Sequence, residues 1–274
     1  MTAGVAAPRE TDPNQRSVSV RVDSKIYPAA HGVSGNERVL DGVRFEIAPA
    51  EFVALIGPSG CGKSTLLQIV AGLDDDFSGS IAWPSAQRRR LGYVFQQPRL
   101  LPWLTLRNNL RLVLNCSASA KARIDELLDA MDLSAFADYH PNRISVGMQR
   151  RVALARAFAV EPDLLLMDEP FVSLDPPTAN LLRALLLRVW DKYRSRVLFV
   201  THDLFEATQL ADRILFLSAT PARILDEAEV GIPRAARTDA KVVEARYRAL
   251  RERFDDLYGA TVGLVPLAGQ DRSR

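Results

Sequence analysis

The segment GPSGCGKS (57–64) restricts the fold of this chain more than any other part of the sequence. It follows the apolar run FVALI and leads into KSTLLQIVAGL, whose spacing predicts a helix that ends near Gly72. A glycine-rich turn between a strand and a helix can surround phosphate oxygens with consecutive backbone N–H groups. Lys63 adds a cation for the β- and γ-phosphates, and Ser64 offers a hydroxyl to Mg²⁺. The segment therefore predicts a nucleoside triphosphate site.

The residues of this loop are expected to have different roles. The glycines let the backbone turn tightly, and Thr65 is a candidate contact of the α-phosphate. We interpret Cys61 as a small residue that the loop tolerates, rather than as a nucleophile. A chance glycine turn is the alternative, but it would not explain Lys-Ser-Thr and a preceding strand together. The predicted nucleotide-binding residues are Gly57, Pro58, Ser59, Gly60, Cys61, Gly62, Lys63, Ser64 and Thr65.

Short apolar runs alternate with helical segments along most of the chain. SVSVRV (17–22) alternates as a half-buried strand does, whereas 27–39 is rich in Pro, Gly and polar residues and indicates a loop. Further runs are typical of buried strands. This alternation predicts an α/β fold, with a mainly parallel sheet and helices on both faces. The buried-strand runs are LGYVFQQ (91–97), DLLLMDE (163–169), RVLFVTHD (196–203) and RILFLS (213–218).

Composition changes divide the chain into segments. Residues 1–16 are polar and predict a disordered leader, and 17–225 form the predicted α/β domain. Helical composition between 98 and 160 predicts a helical subdomain inserted into that domain. Residues 226–274 form a tail with an amphipathic helix at 241–257. Its arginines could favour a membrane surface or an acidic partner, but we favour a solvated helix whose apolar stripe packs on the core.

Acidic and polar residues follow the predicted strands at their carboxyl ends. Asp168 closes LLLMD and can hold Mg²⁺ or a water, and Glu169 is the candidate general base for the water that attacks the γ-phosphorus. An acidic pair alone is weak support, because such pairs also cap helices. His202 and Gln96 end other strands at the edge where α/β sheets bind ligands. A lone histidine is more often structural, so His202 needs this placement to count as catalytic.

A second helix start in RISVGMQRRVALARA (143–157) is also suited to an anion. Ser145 is the expected N-cap, and Gly147 lies in the first turn. Such an end presents free N–H groups and the positive end of the helix dipole. The chain already has a phosphate-binding loop, so a second anion site needs another explanation.

Composition excludes several classes of protein. The formal charge of the 274 residues is only +2, which argues against a dedicated nucleic-acid binder. The two cysteines, Cys61 and Cys116, argue against a disulfide scaffold and fit a reducing, cytosolic setting. The N-terminus has no apolar core of signal-peptide type, and no uncharged apolar run is long enough to cross a bilayer. If the protein functions at a membrane, we expect it to bind there peripherally.

Taken in their order along the chain, the motifs resemble those of the ATP-binding-cassette (ABC) family. The resemblance covers the chain from about Ser17 to about Leu217. Each motif alone is modest support, whereas the complete series is specific. The corresponding segments are GPSGCGKST (the P-loop, or Walker A motif), VFQQP around Gln96 (Q-loop), ISVGMQ at 144–149 (signature), LLLMDEP at 164–170 (acidic strand), SLD at 173–175 (D-loop) and His202 (switch histidine).

The resemblance implies a P-loop NTPase (RecA-like) core with a mainly parallel sheet, an antiparallel β edge and an inserted helical subdomain. It also implies ATP and Mg²⁺ as cofactors. Tyr27 corresponds to the aromatic residue that stacks on adenine, although a long loop follows it. Ser64, Gln96 and Asp168 correspond to the residues around Mg²⁺, and Glu169, His202 and Gln96 to the catalytic residues.

The family also suggests a purpose for the second helix start. Two cassettes associate head to tail, and each signature faces the γ-phosphate held by the partner's P-loop. Ser145, Gly147 and Gln149, with Asp175 of the D-loop, are therefore predicted to contact the partner's nucleotide. The partner is expected to be a second ABC ATPase subunit, most simply another copy. Hydrolysis would then let the two halves part.

The signature departs from the usual LSGGQ of the family. This chain has Val146 at the first glycine and Met148 at the glutamine. The methionine occurs in one importer branch. Val146 either slows the closure of the two cassettes or points away from the phosphate. We favour the interpretation that valine is tolerated here and that the ATPase activity is ordinary.

VFQQPRLLPWLTLRNNL (94–110) resembles cassettes of nitrate, sulfonate and taurine importers. That branch implies a peripheral ATPase on the cytoplasmic face of the membrane, docked under a separate permease that is supplied by a substrate-binding protein. Pro98 to Trp103 would contact the permease, with core packing as the equal alternative. The remaining alternatives are an ABC ATPase of a lipid or lipoprotein exporter and, more remotely, a P-loop kinase or a binding-only module. The motifs do not name the small anion.

Overall fold

Two sheets organise the part of the chain that the computed structural model describes, namely residues 17–28, 36–84, 89–114 and 118–259. The predicted disordered leader, 1–16, lies outside these residues. The strands within the described ranges are β1 (Val18–Tyr27), β2 (Glu37–Ile47), β3 (Phe52–Ile56), β4 (Ser78–Ala82), β5 (Leu91–Val94), β6 (Leu164–Asp168), β7 (Arg196–Thr201), β8 (Arg213–Leu217) and β9 (Ile224–Glu229).

The larger sheet has six strands in the order β5-β6-β7-β3-β8-β9. Its first five strands run parallel, and β9 pairs antiparallel with β8 at the edge. The smaller sheet is antiparallel, in the order β2-β1-β4. The predicted fold class, an α/β core with a mainly parallel sheet and an antiparallel β edge, is confirmed.

The helices are capped by residues whose side chains suit the ends. Gly72 ends α1 with a φ of 69°, which glycine adopts without strain. Ser145, Asp175 and Asp203 accept hydrogen bonds from the first-turn N–H groups of α4, α5 and α6, in that order. The helices are α1 (Lys63–Ala71), α2 (Leu106–Arg111), α3 (Ala118–Ala130), α4 (Val146–Ala159), α5 (Pro176–Tyr193), α6 (Leu204–Leu210) and α7 (Ala240–Tyr258).

The central strand β3 is buried on both faces. Phe52, Ala54 and Ile56 point into a layer that α4, α5, α6 and α7 cover. Val53 and Leu55 point the other way, into a layer shared with α1 and the smaller sheet. Because side chains alternate along a strand, a continuous apolar run is what a strand between two layers requires. The loop after β3 therefore follows a strand that is buried at every residue.

The described chain between β5 and β6 is helical and contains α2, α3 and α4. The bounds of the inserted subdomain, 98–160, remain a prediction. None of the helices within the described ranges combines the length and the apolar character needed to cross a bilayer.

The helix α7 packs its apolar stripe on the core, as we favoured. Val243 and Leu250 are buried, and Tyr247, Phe254 and Leu257 are partly buried against the core. The predicted basic face is occupied by local partners. Arg246 and Arg253 bond to β9 and the residue after it, and Arg248 and Arg251 pair with Glu244 and Asp255 of the same helix.

The structure differs from the sequence interpretation at the antiparallel strands. Residues 27–39, interpreted as a loop, hold the end of β1 and the start of β2, with 29–35 outside the described residues. The strands β4 and β9 were not predicted. SGSIA is small and polar, and ILDEAE is largely charged, because these edge strands bury little surface.

Candidate active site

The parallel strands deliver the predicted site residues to one edge of the larger sheet. The P-loop follows β3, Gln96 follows β5, Asp168 and Glu169 close β6, and His202 follows β7. A cavity of about 480 Å³ lies at this edge. Its lining residues are Tyr27, Glu37, Val39, Ser59, Gly60, Gly62, Lys63, Ser64, Thr65, Gln96, Asp168 and Glu169.

The loop adopts a conformation that requires glycine. Gly60 and Gly62 have φ angles of 76° and 109°, in the left-handed region. A Cβ on Gly62 would also lie 2.7 Å from Val39 Cγ1. Lys63 is 5% exposed, and its Nζ donates to the carbonyl oxygens of Gly57 and Pro58 at 2.8 Å each. The ammonium group is thus held at the centre of the loop.

Cys61 lies beneath the loop instead of facing the cavity. It is buried, and this burial raises the pKa of its thiol. A neutral, buried thiol is a poor nucleophile, which agrees with the interpretation of Cys61 as a tolerated small residue.

Ser64 and Asp168 bring two oxygen ligands together. Ser64 Oγ donates to Asp168 Oδ1 at 3.0 Å. Burial raises the pKa of Asp168, whereas the hydrogen bond from Ser64 opposes that shift. Within the described ranges, no cluster of three or more His, Cys, Asp or Glu side chains could hold a metal alone. The hydroxyl and carboxylate nevertheless suit Mg²⁺, which completes such sites with phosphate oxygens and water.

Glu169 and His202 form the second pair at this edge. His202 Nδ1 lies 3.4 Å from Glu169 Oε2. The hydrogen bond from His202 lowers the pKa of Glu169, and the same contact raises the pKa of His202. The carboxylate is therefore ionised at neutral pH and able to accept a proton from water. Both residues also line a neighbouring cavity of about 270 Å³.

The start of α4 does not line the nucleotide cavity described above. Ser145 Oγ accepts from Met148 N at 3.2 Å, and the side chain of Val146 is 55% exposed. A Cβ on Gly147 would lie 2.5 Å from Thr178 Cγ2, so glycine is required here for packing against α5. The valine, in contrast, meets open surface. A nucleotide contact of this helix end remains a prediction.

Gln149 and Asp175 already have partners within the chain. Gln149 Nε2 donates to Pro141 O at 2.9 Å, which turns the amide back toward the segment before α4. The contact of Gln149 with the nucleotide of a second cassette stays a prediction. Asp175 Oδ2 accepts from Thr178 N at 3.1 Å and caps α5. The nucleotide contact of Asp175 remains a prediction.

Tyr27 lies at the rim of the cavity in a fixed orientation. Its hydroxyl donates to Asp74 Oδ2 at 3.2 Å, and Lys25 Nζ lies 4.6 Å from its ring centre. Buried Lys25 also bonds to Asp74 at 2.8 Å. These contacts hold the ring beside the P-loop, where an adenine could stack on it.

Sequence reasoning missed the residues that connect these motifs. Glu37 and Val39 line the cavity because β2 begins earlier than expected. On α4, Arg150 donates to the carbonyl oxygens of Gln96 and Val172, and Arg156 to those of Pro98 and Arg99. An arginine inside the apolar run VALARAFA was the signal available for Arg156.

Comparisons relate the chain to known proteins. The sequence model of a family described as ABC transporter matches residues 40–172. The chain is 39% identical, over 97% of its length and 96% of the relative's, to the aliphatic sulfonates import ATP-binding protein SsuB 2 of Burkholderia cenocepacia. It is 40% identical, over 80% of its length and 89% of the relative's, to the aliphatic sulfonates import ATP-binding protein SsuB of Bacillus subtilis.

Solved structures give the same relationship. The dimeric structure of MJ0796, a bacterial ABC transporter cassette, is 30% identical, covers 79% of this chain and 100% of that chain, and superposes with a TM-score of 0.68. A dimeric post-hydrolysis state of the ATP-binding cassette MJ0796, bound to ADP and Pi, superposes with a TM-score of 0.67.

Proposed function

The chain belongs to the ABC transporter family, and from this premise we propose that it is the ATPase subunit of an importer for aliphatic sulfonates or a similar small anion. As a member of this family it binds ATP and hydrolyses it to ADP and phosphate, and it couples hydrolysis to transport. The identity of the transported anion and the roles of individual residues in ATP binding and hydrolysis are part of what we propose.

The observation that carries the proposal is the meeting of the P-loop with the acidic strand. Ser64 Oγ lies 3.0 Å from Asp168 Oδ1, and Glu169 follows at the same edge. The loop N–H groups and Lys63 bind the β- and γ-phosphates. Ser64, Asp168 and Gln96 would hold Mg²⁺, which would supply positive charge to neutralise the phosphate oxygens.

Glu169 acts as the general base in this proposal. Its ionised carboxylate takes a proton from the water that attacks the γ-phosphorus. His202 orients the carboxylate through the 3.4 Å contact of Nδ1 with Oε2. Tyr27 provides the stacking surface for adenine. Ser145, Gly147 and Asp175, none of which lines this chain's own cavity, act on the nucleotide of a second copy in this proposal.

We propose a complex with a membrane permease because the chain belongs to this family and exposes an aromatic side chain. Trp103 is 70% exposed, while Leu100 packs against the core. Within Pro98 to Trp103, core packing therefore applies to Leu100, whereas Trp103 is the candidate contact with the permease. The chain would sit peripherally on the cytoplasmic face of the membrane, with a substrate-binding protein delivering the anion. The relatives named above are import proteins, which favours an importer over the lipid or lipoprotein exporter.

Reconstitution tests this function. The chain is co-purified with its permease and placed in vesicles with internal Mg²⁺ and ATP, and the binding protein is added outside. We expect uptake of an alkanesulfonate, with nitrate and taurine as competing candidates. The Lys63→Ala variant is the control, because loss of the phosphate cation should abolish uptake. ATP-dependent release of lipid without anion uptake would contradict the proposal.

A further inference from the structure

The last residues of α7 reach the base of the P-loop. Tyr258 is 3% exposed, and its hydroxyl donates to Leu217 O at 2.8 Å, with Ile56 O at 3.3 Å. Burial raises the pKa of Tyr258, so the hydroxyl remains a protonated donor at neutral pH. The two acceptors end the neighbouring parallel strands β8 and β3. One side chain from the tail thus joins both strands where they leave the sheet.

These two strand ends support the phosphate-binding loop directly. Ile56 precedes Gly57, the first residue of the loop. A Cβ on Gly57 would lie 3.0 Å from both Leu217 Cβ and Cys61 Sγ, so the loop rests on Leu217 without spare room. After β8, Thr220 Oγ1 donates to Gly60 O at 3.3 Å. A displacement of Leu217 would therefore be transmitted to the loop.

The position of Tyr258 is fixed by the rest of its helix. Arg246 Nε donates to Val230 O at 2.7 Å, and Arg253 pairs with Asp226 and bonds to Glu227 O at 2.9 Å. Phe254 packs against Tyr258 with their ring centroids 4.6 Å apart. The helix is thus tied to β9 along its length. Its last turn can hold the hydroxyl at a defined place.

We propose that Tyr258 is a positioning residue for the phosphate-binding loop. The inference rests on the proposed function, because it concerns the affinity of that loop for a nucleotide. The hydroxyl holds the carbonyls of Leu217 and Ile56 so that the loop N–H groups are preorganised for phosphate. The tail helix is then part of the nucleotide site, although it lies outside the matched residues 40–172.

The test compares two variants of the same helix that each lose one hydroxyl. Tyr258→Phe keeps the buried ring but leaves two carbonyls without this donor. Tyr247→Phe is the matched control. Its ring is also partly buried, but among the described residues its hydroxyl accepts only from Arg251 Nη1, at 2.9 Å, in an exposed hydrogen bond. The dissociation constant for ADP with Mg²⁺ is measured by calorimetry, ATPase kinetics are recorded, and melting without nucleotide checks the fold.

We expect Tyr258→Phe to raise the ADP dissociation constant and the KM for ATP by about threefold to tenfold, with kcat changed much less, because a buried carbonyl loses its donor. The Tyr247→Phe control should match the wild type. An unchanged dissociation constant with a lowered melting temperature would overturn the inference, since Tyr258 would then only anchor the helix. Failure of the wild type to bind ADP would overturn the proposed function itself, and the inference with it.

Discussion

Glu169 lies at the end of β6 in a backbone conformation that few side chains adopt, with a φ of 44°. Its N–H donates to Val200 O at 2.9 Å, and its carboxylate faces His202. An unfavourable conformation that the surrounding structure maintains is typical of functional sites. Asp168 accepts a hydrogen bond from Ser64, whereas Glu169 contacts His202. The two neighbouring acids can therefore serve different tasks.

The substitution Glu169→Gln tests the task of the general base. It keeps the size of the side chain and a contact with His202 but cannot accept a proton. We expect ATP turnover to fall by about 100-fold or more, while ATP binding is kept. Steady-state ATPase assays and nucleotide titration measure the two quantities. Glu244→Gln, on the surface of α7, is the control, and near-normal turnover of Glu169→Gln would refute the assignment.

The tight turn of the P-loop could be predicted because its requirements are local. Phosphate binding needs glycines, lysine and a hydroxyl at fixed spacing along a single turn, so the spacing alone reveals the site. The hydrogen-bond partner of Gln149 could not be predicted in this way. Its side chain donates to Pro141, eight residues earlier, and that contact depends on how the chain turns before α4. No spacing rule indicates which polar group of a helix start is already satisfied.

The helices α5 and α6 are joined by a buried contact between an arginine and a glutamate beside the active site. Arg183 of α5 contacts Glu206 of α6 at 3.3 Å, and Glu206 Oε2 accepts from Thr201 Oγ1 at 2.7 Å. Thr201 immediately precedes His202. Burial raises the pKa of Glu206 to about 7, although Thr201 and Arg183 act in the opposite direction. The pair thus links α5 to the segment that holds His202.

The raised pKa of Glu206 predicts a pH-dependent stability. The folded protein holds a proton on Glu206 up to about pH 7, whereas an unfolded glutamate loses it near its ordinary value of 4.5. The resulting stabilisation is present below 4.5 and is lost as the pH rises toward 7. We expect the melting temperature of the wild type to fall from about pH 5 to about pH 8 more than that of Glu206→Gln. Parallel curves would contradict the shift, and Glu244→Gln is the matched surface control.

The elements differ in how well the sequence predicted them, for a physical reason. The strands β3, β6 and β7 are covered on both faces, so their apolar runs are unmistakable. The strands β4 and β9 are edge strands with exposed small or charged residues, and only pairing with β1 and β8 makes them strands. The start of β2 was missed in the same way. Pairing partners distant in sequence leave no local pattern.

At the scale of the whole molecule, the starts of α4 and α5, which do not line the nucleotide cavity, form one unit. Gly147 of α4 packs so closely on Thr178 of α5 that a methyl group would not fit between them. The capping residues of these helices, Ser145 and Asp175, are both exposed. Their relative position is therefore fixed by the packing of glycine against threonine. Such a surface suits contact with a second copy, and the related cassette MJ0796 has been solved as a dimer.

An aspartate in place of Ser145 tests this contact, because aspartate also caps helices but adds a negative charge. In the Glu169→Gln background, which should retain ATP, we expect ATP to convert the protein from monomer to dimer. Adding Ser145→Asp should prevent that conversion, since its carboxylate would face the partner's γ-phosphate. Light scattering after size exclusion, with and without ATP, measures the mass.

Thr105→Asp is the matched control for this experiment. Thr105 caps α2 by accepting from Asn108 N at 3.2 Å, so the same change of cap and charge is made at another helix start. The control should still dimerise with ATP. Both variants should keep the ADP affinity of the background, because neither residue lines the chain's own cavity. Dimerisation of Ser145→Asp equal to that of the control would show that the tip of α4 does not meet the γ-phosphate across the interface.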